Sequence, residues 1–309
     1  MRRARLASLA MLALVGCATA GPRPTPPQPQ SPPALNPPAP PPLAAPSAIQ
    51  PAATVDAAEA ARSYASHQTF LGSGLAGPNG LALDEAGNLY EADYYRGTVT
   101  QVAPSGATRT WAGGFSGPAG LAFDPAGNLL VACYETHTLE RIPPGGGSKS
   151  VWISSGLRHP VWPAVDHRGT LYLADYDNNR IARVAPDGSL STFVSIPGVN
   201  SIAVAPDDTL WVTTWGGTVD RVTPSGGRST LATGLYSADG IAWSPSYLAV
   251  VQYGGEHSSD GRLVLVDYAG RAYPVQDRLD KSSSVIFDRS GTVYTADCGD
   301  TALRMYRLR

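Results

Sequence analysis

Short apolar stretches separated by polar turns fill the chain from about residue 66 to its C-terminus. In the clearest copy of this pattern the stretches are Leu81–Leu83, Leu89–Ala92, Val99–Ala103 and Thr108–Ala112. Gly, Pro or Asp lies between each stretch and the next, which is typical of short β-strands joined by tight turns. The pattern therefore predicts a unit of four strands, which we call a, b, c and d in chain order.

This four-strand unit occurs six times. The turn between strands a and b opens, in successive copies, with Asp84, Asp124, Asp166, Ala205, Ser244 and Asp288. Successive positions are 40, 42, 39, 39 and 44 residues apart. A repeat of about 40 residues made of four short strands is the signature of a β-propeller blade. We therefore predict an all-β, six-bladed β-propeller over residues 66–309.

The sixth copy has no strand d, because the chain ends after strand c. A matching stretch lies before the first copy, where Gln68–Gly74 resembles the first copy's strand d, Arg109–Gly114. We predict that this N-terminal strand pairs with the C-terminal strand. The pairing would complete the last blade and remove an exposed sheet edge.

The N-terminal 65 residues have a different composition. Three arginines precede the apolar run Leu6–Val15, which has signal-peptide length and is too short to span a bilayer. The run ends in Leu14-Val15-Gly16-Cys17, which resembles the lipobox of bacterial lipoproteins. That resemblance implies removal of residues 1–16 and a lipid anchor on Cys17. The Ala18 that follows implies the outer membrane, facing the periplasm or the cell surface. Ordinary secretion, with cleavage after Ala20, is the alternative.

The segment after Cys17 is rich in proline. Residues 21–51 hold 14 of the 28 prolines and almost no charge, which predicts a disordered tether with polyproline II character. The Ala-rich residues 54–65 favour a helical turn or two, without an assigned role. The predicted organisation is a signal peptide over 1–16, a lipidated linker over 17–65 and a propeller over 66–309.

The charge and cysteine content of residues 66–309 exclude some classes of function. This part carries 18 basic and 23 acidic residues, a net charge of about −5, whereas nucleic-acid binders need clustered basic residues. Cys133 and Cys298 lie in the second and sixth copies, too far apart for a disulfide, so both are predicted to be free, buried thiols. We expect a monomer without nucleic-acid partners.

Two stretches carry a family resemblance. Leu171–Ile181 resembles the NHL-repeat consensus, and Gly120–Tyr134 resembles the gluconolactonase-type (senescence-marker) lactonases. Streptogramin lyases share the six-bladed fold of these proteins. The resemblance covers residues 68–309 and implies this fold, but one fold hosts many activities, so function has to be argued from the site.

The position that opens strand a differs between copies. It holds Asn79, Ala119, Val161, Asn200, Asp239 and Ser283, which should converge near one mouth of the central channel. Asn and Asp oxygens suit Ca²⁺ or another divalent metal. The resembled lactonases hold a metal here with one Glu, two Asn and one Asp, the Asp serving as base. Asn200 and Asp239 match two of these positions, but Asn79 and Val161 stand where the Glu and the second Asn would be.

A second set of positions follows strand b on the same face. It holds Tyr94, Tyr134, Tyr176, Trp215, Tyr253 and Cys298. These side chains either pack against the next blade as a repeated structural device or form an aromatic funnel for a ligand. In contrast, Asp93, Asp175 and Asp297 recur at the end of strand b and are predicted to accept backbone N–H bonds within each blade.

The fifth copy has an enlarged loop, 254–261, that includes Glu256, His257 and Asp260. A solvated loop and a source of acid–base groups are both open interpretations. The five histidines, at 67, 137, 159, 167 and 257, show no metal-ligand spacing.

Our leading hypothesis from sequence is a membrane-anchored lipoprotein whose propeller binds a protein or carbohydrate at the aromatic mouth. The alternative is a metal-dependent lactonase or a lyase-like enzyme, with Asp239 as base, Asn79 and Asn200 as ligands and His257 assisting.

Overall fold

A computed structural model describes residues 55–66, 68–72, 75–254 and 260–307. In these residues the strands form six antiparallel sheets of four strands each, arranged as the six blades of a propeller. The fold prediction is confirmed. The signal peptide, Cys17 and the proline-rich stretch lie outside the described residues, as does His257. No helix among the described residues is long and apolar enough to cross a membrane.

The strand bounds follow the six copies. Blade 1 holds β2 (Pro78–Leu83), β3 (Leu89–Asp93), β4 (Thr98–Val102) and β5 (Thr108–Gly113). Blade 2 holds β6 (Pro118–Phe123), β7 (Leu129–Cys133), β8 (Thr138–Ile142) and β9 (Ser150–Ile153). Blade 3 holds β10 (Pro160–Val165), β11 (Leu171–Asp175), β12 (Arg180–Val184) and β13 (Leu190–Ser195).

The remaining blades repeat this order. Blade 4 holds β14 (Val199–Val204), β15 (Leu210–Thr214), β16 (Val219–Val222) and β17 (Arg228–Ala232). Blade 5 holds β18 (Ala238–Trp243), β19 (Tyr247–Gln252), β20 (Gly261–Asp267) and β21 (Ala272–Leu279). Blade 6 holds β22 (Ser282–Phe287), β23 (Val293–Asp297), β24 (Ala302–Tyr306) and the N-terminal β1 (Gln68–Gly72).

The ring is closed by strands from the two ends of the chain. Strand β1 pairs antiparallel with β24, with Gln68 opposite Tyr306 and Thr69 opposite Met305. The predicted pairing of the N-terminal strand with the C-terminal strand is confirmed. Blade 6 therefore has four strands like the others, and its outermost position is filled.

Glycines allow the innermost strands to approach one another. A Cβ atom built on Gly80 would lie 2.0 Å from the carbonyl oxygen of Ala119 in the next blade. One built on Gly120 would lie 2.4 Å from the carbonyl oxygen of Val161. No side chain fits in this space, so these glycines set the spacing of blades 1 to 3 around the channel.

The recurring aspartates of the turns between strands a and b hold those turns. Asp84 Oδ1 accepts the N–H of Asn88 at 2.8 Å, and Asp288 Oδ1 accepts the N–H groups of Ser290 and Thr292 at 2.8 and 2.9 Å. These bonds satisfy turn donors locally. We call the side of the ring that carries the a–b and c–d turns the turn face, and the opposite side the mouth face.

The recurring aspartates at the end of strand b act mainly as scaffold, as predicted, although they bind loops as well as their own blade. Asp93 accepts backbone N–H bonds from Ala76 and Arg96, at 2.7 and 3.0 Å. Asp175 accepts the N–H of Arg158 at 2.7 Å. Asp297 differs, because it pairs with the guanidinium of Arg304 instead.

A helix, α1 (Ala57–Ser66), packs against the outer strands β20 and β21 of blade 5. Ala57, Ala60, Ala61 and Tyr64 are buried in the cluster that also holds Leu263 and Phe287. The Tyr64 hydroxyl donates to the carbonyl oxygen of Gly291 at 2.5 Å. Residues 57–66, at the end of the predicted linker, therefore pack against the propeller, because an alanine-rich face fits closely against the blade.

The two thiols of the propeller are free and buried, as predicted. Cys133 ends strand β7 in the interior, where burial and the nearby Glu140 carboxylate raise the pKa of its thiol to about 12. This thiol is an inert core residue.

Candidate functional site at the channel mouth

The residues that follow strand b are held in one repeated way on the mouth face. The N–H groups of Tyr94 and Tyr134 donate to the carbonyl oxygens of Gly77 and Gly117, each at 2.8 Å. The same bond, made to the residue just before strand a, recurs at Trp215, Tyr253 and Cys298, at 2.8, 2.9 and 3.1 Å. Tyr176 differs by lying in a short 3-10 turn, Tyr176–Asn178. We call the surface formed by these six positions the aromatic ring.

Contacts within the aromatic ring join neighbouring blades. The side chains of Tyr94 and Tyr134 have their aromatic centroids 6.4 Å apart, and those of Trp215 and Tyr253 are 5.8 Å apart. Trp215 is 40% exposed, and the four tyrosines are partly exposed. The aromatic ring therefore presents two pairs of accessible side chains, one across blades 1 and 2 and one across blades 4 and 5, although each side chain also contacts protein.

The tyrosines of the aromatic ring carry neutral hydroxyls. Burial raises the pKa of Tyr134 to about 12, with the Asp177 carboxylate adding to the shift. The pKa of Tyr176 is raised by burial and then by Asp177 and Asp239. Burial also raises the pKa of Tyr94, whose hydroxyl donates to Glu135. At neutral pH these groups can donate and accept hydrogen bonds while the faces of the rings remain apolar.

Asn200 and Asp239 meet at the start of strands β14 and β18. Asn200 Nδ2 donates to Asp239 Oδ1 at 2.9 Å, and Thr213 Oγ1 donates to the Asp239 carbonyl oxygen at 2.5 Å. Asp239 retains some accessible surface where it faces the channel, but protein surrounds it. Desolvation therefore raises the pKa of this carboxyl to about 8, against the opposing effect of the Asn200 bond.

The three predicted metal ligands supply a single carboxylate, that of Asp239. Of the three predicted ligands, Asn79 makes no hydrogen bond with Asn200 or Asp239, and the amide of Asn200 turns its nitrogen toward the carboxylate. Ser283 donates to backbone carbonyl oxygens, and Val161 offers no oxygen ligand. Within the described ranges, no three His, Cys, Asp or Glu residues cluster in a way that could hold a metal. A divalent cation held here would have this carboxylate and the amide oxygens of Asn79 and Asn200 as its predicted ligands.

A cluster of histidines that the sequence did not single out lies beside the aromatic ring, between blades 2 and 3. His159 Nδ1 lies 2.6 Å from Asp177 Oδ2. The imidazole of His159 stacks on Tyr134, with centroids 4.3 Å apart and planes at 25°. His137 packs edge-on against the same imidazole at 4.4 Å, and its Nδ1 accepts the N–H of His159 at 3.0 Å.

The two histidines occupy turn positions with positive φ, which some of the other blades fill with Gly or Asn. His137 has φ of 57°, and the equivalent residues include Gly97, Asn179 and Gly217. His159 has φ of 49°, where blades 2 and 4 have Gly117 and Gly198. Stacking the copies shows a histidine at each of these two positions, but it does not show that the two side chains meet. The residues are 22 apart in sequence, so no local motif signals the pair.

The turn face carries a groove of about 400 Å³ between blades 4 and 5. Its lining includes Trp211, Trp243, Tyr268 and Arg221. The ring centroids of Trp211 and Tyr268 are 5.3 Å apart. The groove is aromatic like the mouth, but it lies at the other end of the strands and contains none of the predicted site residues.

The match to a known sequence family falls on the second copy. Residues 115–141 match the model of the NHL repeat. This range covers strands β6, β7 and most of β8 of blade 2. It overlaps Gly120–Tyr134, the stretch that resembles the lactonases. The stretch Leu171–Ile181, which resembles the NHL consensus by inspection, lies in blade 3. Comparison with curated proteins gives no match.

Solved structures share the propeller fold at low identity. A gluconolactonase from Xanthomonas campestris is 18% identical with a TM-score of 0.67, covering 78% of this chain and 89% of its own. Virginiamycin B lyase from Staphylococcus aureus, solved in an inactive form with quinupristin, is 18% identical with a TM-score of 0.59, covering 75% and 80%. A chain of the nidogen/laminin complex is 19% identical with a TM-score of 0.58, covering 68% and 85%. These likenesses establish the six-bladed fold, which occurs in enzymes and in a protein–protein complex alike.

Proposed function

We propose that the propeller binds a carbohydrate ligand at the aromatic ring on its mouth face. The observation that carries this proposal is the aromatic ring itself. Five of six equivalent positions are aromatic, and four of these five are held by the same backbone bond. A device needed only for packing would be expected to bury its side chains, whereas Trp215 is 40% exposed.

The chemistry of the mouth favours a sugar over a charged ligand. The flat faces of Tyr and Trp suit the apolar face of a sugar ring, and neutral phenol groups suit its hydroxyls. Asp239, which is largely protonated at neutral pH, and Asn200 add a donor and an acceptor at the channel entrance.

We further propose that the protein acts as a monomer on a membrane surface. The lipobox-like Leu14–Cys17 supports a lipid anchor on Cys17 and export to the periplasm or the cell surface. Incorporation of a fatty-acid analogue by the native chain, and not by a Cys17→Ala variant, is expected. An unlabelled native chain would instead favour ordinary secretion.

Binding is tested with a panel of soluble oligosaccharides, using saturation-transfer NMR on the full chain. The expected result is saturation transfer to at least one sugar, and its loss in a Tyr94→Ala/Trp215→Ala double variant. Tyr268→Ala, on the turn face, is the matched control and should bind normally. Wild-type binding by the double variant would contradict the proposal. If no sugar binds and a protein is retained through the aromatic ring, the ligand class is wrong.

A metal-dependent lactonase is the second candidate, and it rests on the fold shared with a gluconolactonase and on the position of Asp239. A calorimetric titration with Ca²⁺ and Zn²⁺ separates it from the first. Absence of binding at millimolar metal would exclude this candidate and leave sugar binding intact.

A further inference from the structure

A histidine on the mouth face has the arrangement of a general base. The Nδ1–H of His159 donates to Asp177, because a carboxylate can only accept. The unprotonated nitrogen of His159 is therefore Nε2, and no described residue forms a hydrogen bond with it. An imidazole oriented by a carboxylate, with Nε2 open, is the arrangement that activates water or a hydroxyl in hydrolases.

The surroundings hold this imidazole in place beside the proposed ligand site. Tyr134, a member of the aromatic ring, covers one face of the His159 ring, and His137 packs against it edge-on. The side chain of His159 is 30% exposed and that of Asp177 is 33% exposed, so a ligand on Tyr134 can reach both. The histidine is thus fixed, accessible and adjacent to an aromatic surface.

The described residues contain a second His–Asp pair, whose imidazole is similarly exposed, at 28%, but which makes no aromatic contact among them and has a buried carboxylate. His167 Nδ1 lies 3.2 Å from Asp208 Oδ1 on the turn face. Asp208 also accepts the backbone N–H of His167 at 3.1 Å and the guanidinium of Arg168 at 3.0 Å. The carboxylate is 8% exposed and joins the turns of blades 3 and 4. This pair is structural, and it provides an internal control.

We propose that His159, positioned by Asp177, is the general base in the hydrolysis of an ester carried by a ligand on the aromatic ring. The ligand class would be an acylated sugar or an aryl ester. The inference rests on the proposed function, since the aromatic ring supplies the binding surface. It assigns the base to blades 2 and 3, away from Asp239.

The reaction balances without a further reactant. His159 Nε2 takes a proton from water as the water oxygen bonds to the carbonyl carbon. The tetrahedral intermediate then breaks its bond to the alcohol oxygen, which receives the proton from Nε2–H. Water is consumed, and an acid and an alcohol are released. This site does not suit the cleavage of a glycosidic bond, because that reaction usually needs two carboxyl groups flanking the glycosidic bond. The Asp177 carboxylate is instead engaged in a hydrogen bond with His159.

The test uses the full chain with 4-nitrophenyl acetate as probe. We expect His159→Gln to lower kcat/KM by about 100-fold or more, which is the usual contribution of a general base. Asp177→Asn should lower it by about tenfold or more, because Asp177 acts through the imidazole. His167→Gln on the turn face should leave the rate unchanged. Retention of the rate in His159→Gln, or no hydrolysis above the buffer rate by the wild type, overturns the proposal.

A second readout separates positioning from folding. Carbethoxylation by diethyl pyrocarbonate, followed by peptide mapping, should modify His159 several-fold more slowly in Asp177→Asn than in the wild type, because the imidazole loses the carboxylate that orients it. His167 should react equally in both proteins, and an unchanged rate at His159 would contradict the proposal. Sugar binding is measured on the same samples. Binding without ester hydrolysis refutes only the general base, and hydrolysis without sugar binding refutes only the proposed ligand.

Discussion

The two His–Asp pairs of this propeller have the same chemistry and opposite surroundings. On the turn face, Asp208 is buried and accepts three bonds, from the backbone and side chain of His167 and from Arg168. On the mouth face, Asp177 is a third exposed, and its histidine stacks on an aromatic side chain. The two imidazoles are similarly exposed, at 30% and 28%, so the difference lies in their partners: a buried carboxylate that joins two turns in one pair, and an accessible carboxylate with a stacked Tyr134 in the other. The pair alone therefore does not define a site, and its environment does.

The same contrast holds for the whole of the two faces. The turn face repeats one solution, since Asp84, Asp124, Asp166 and Asp288 each accept bonds from their own turn. On the mouth face the backbone geometry repeats, but the side chains at the start of strand a differ from blade to blade. Repeated side chains that bond within their own turn thus mark scaffold, whereas the exposed aromatic repeat on the mouth face and the varied positions that open strand a mark the candidate site. Substitutions on the two faces test this contrast.

The largest effect is expected where helix α1 covers blade 5. Tyr64→Ala removes a fully buried ring and its hydrogen bond to Gly291, so we expect the free energy of unfolding to fall by about 3–5 kcal/mol. Ligand binding at the mouth should not change at temperatures where the variant is folded. Urea unfolding followed by fluorescence measures the loss. A fall below about 1 kcal/mol would mean that the helix does not pack on the blade as described.

An intermediate effect on the free energy of unfolding should distinguish the aspartates of the two His–Asp pairs. Asp208→Asn should lower the free energy of unfolding by about 1–3 kcal/mol, because a buried acceptor of charged and neutral donors is lost. Asp177→Asn should lower it by less than about 1 kcal/mol, since exposed ion pairs contribute little. Both substitutions have the same size and charge change, and thermal unfolding compares them directly. Equal destabilisation would remove the distinction between a structural pair and an available one.

A smaller effect concerns the pH dependence of stability at Asp239. Its folded pKa of about 8 lies above the unfolded value, so the native state holds a proton that the unfolded chain releases. The stability from this group is complete below about pH 4 and is lost as pH rises toward 8. Asp239→Asn should therefore be more stable than the wild type by at least ~1 kcal/mol at pH 8 and nearly equal to it at pH 4.

The control for this prediction is Asp187→Asn. Asp187 is exposed in the turn between β12 and β13, and bonds from Ser189 lower the pKa of its carboxyl. It should give no gain at pH 8. A gain of similar size in both variants would show that net charge, and not burial at the channel, is responsible.

Most of the fold was predictable from sequence because each blade repeats its own turn chemistry. Six equivalent positions in the a–b turns, four of them Asp, lie about 40 residues apart and give the number of blades. The strand-like Gln68–Gly74 indicates how the propeller closes. The packing of α1 was not predictable. Alanines at 57, 60 and 61 indicate a helix, but the surface that buries them belongs to strands some 200 residues away.

The candidate site was predictable in part. The aromatic ring emerged because its members occupy equivalent positions in successive copies. The cluster of His137, His159 and Asp177 did not, since the three residues occupy different loop positions in two blades, and only the packing of those blades brings them together. Loops of neighbouring blades come together because the blades pack side by side, and the separation of residues in the sequence does not reveal how close their side chains are.

The central claim is that function resides on the mouth face and that the turn face is scaffold. Hydroxyl-radical footprinting of the full chain, with and without the best-binding oligosaccharide, tests it most directly. We predict ligand protection of Tyr94, Tyr134 and Trp215, and unchanged labelling of Trp243 and Tyr268 in the turn-face groove. Protection of the groove with no change at the aromatic ring would contradict the account.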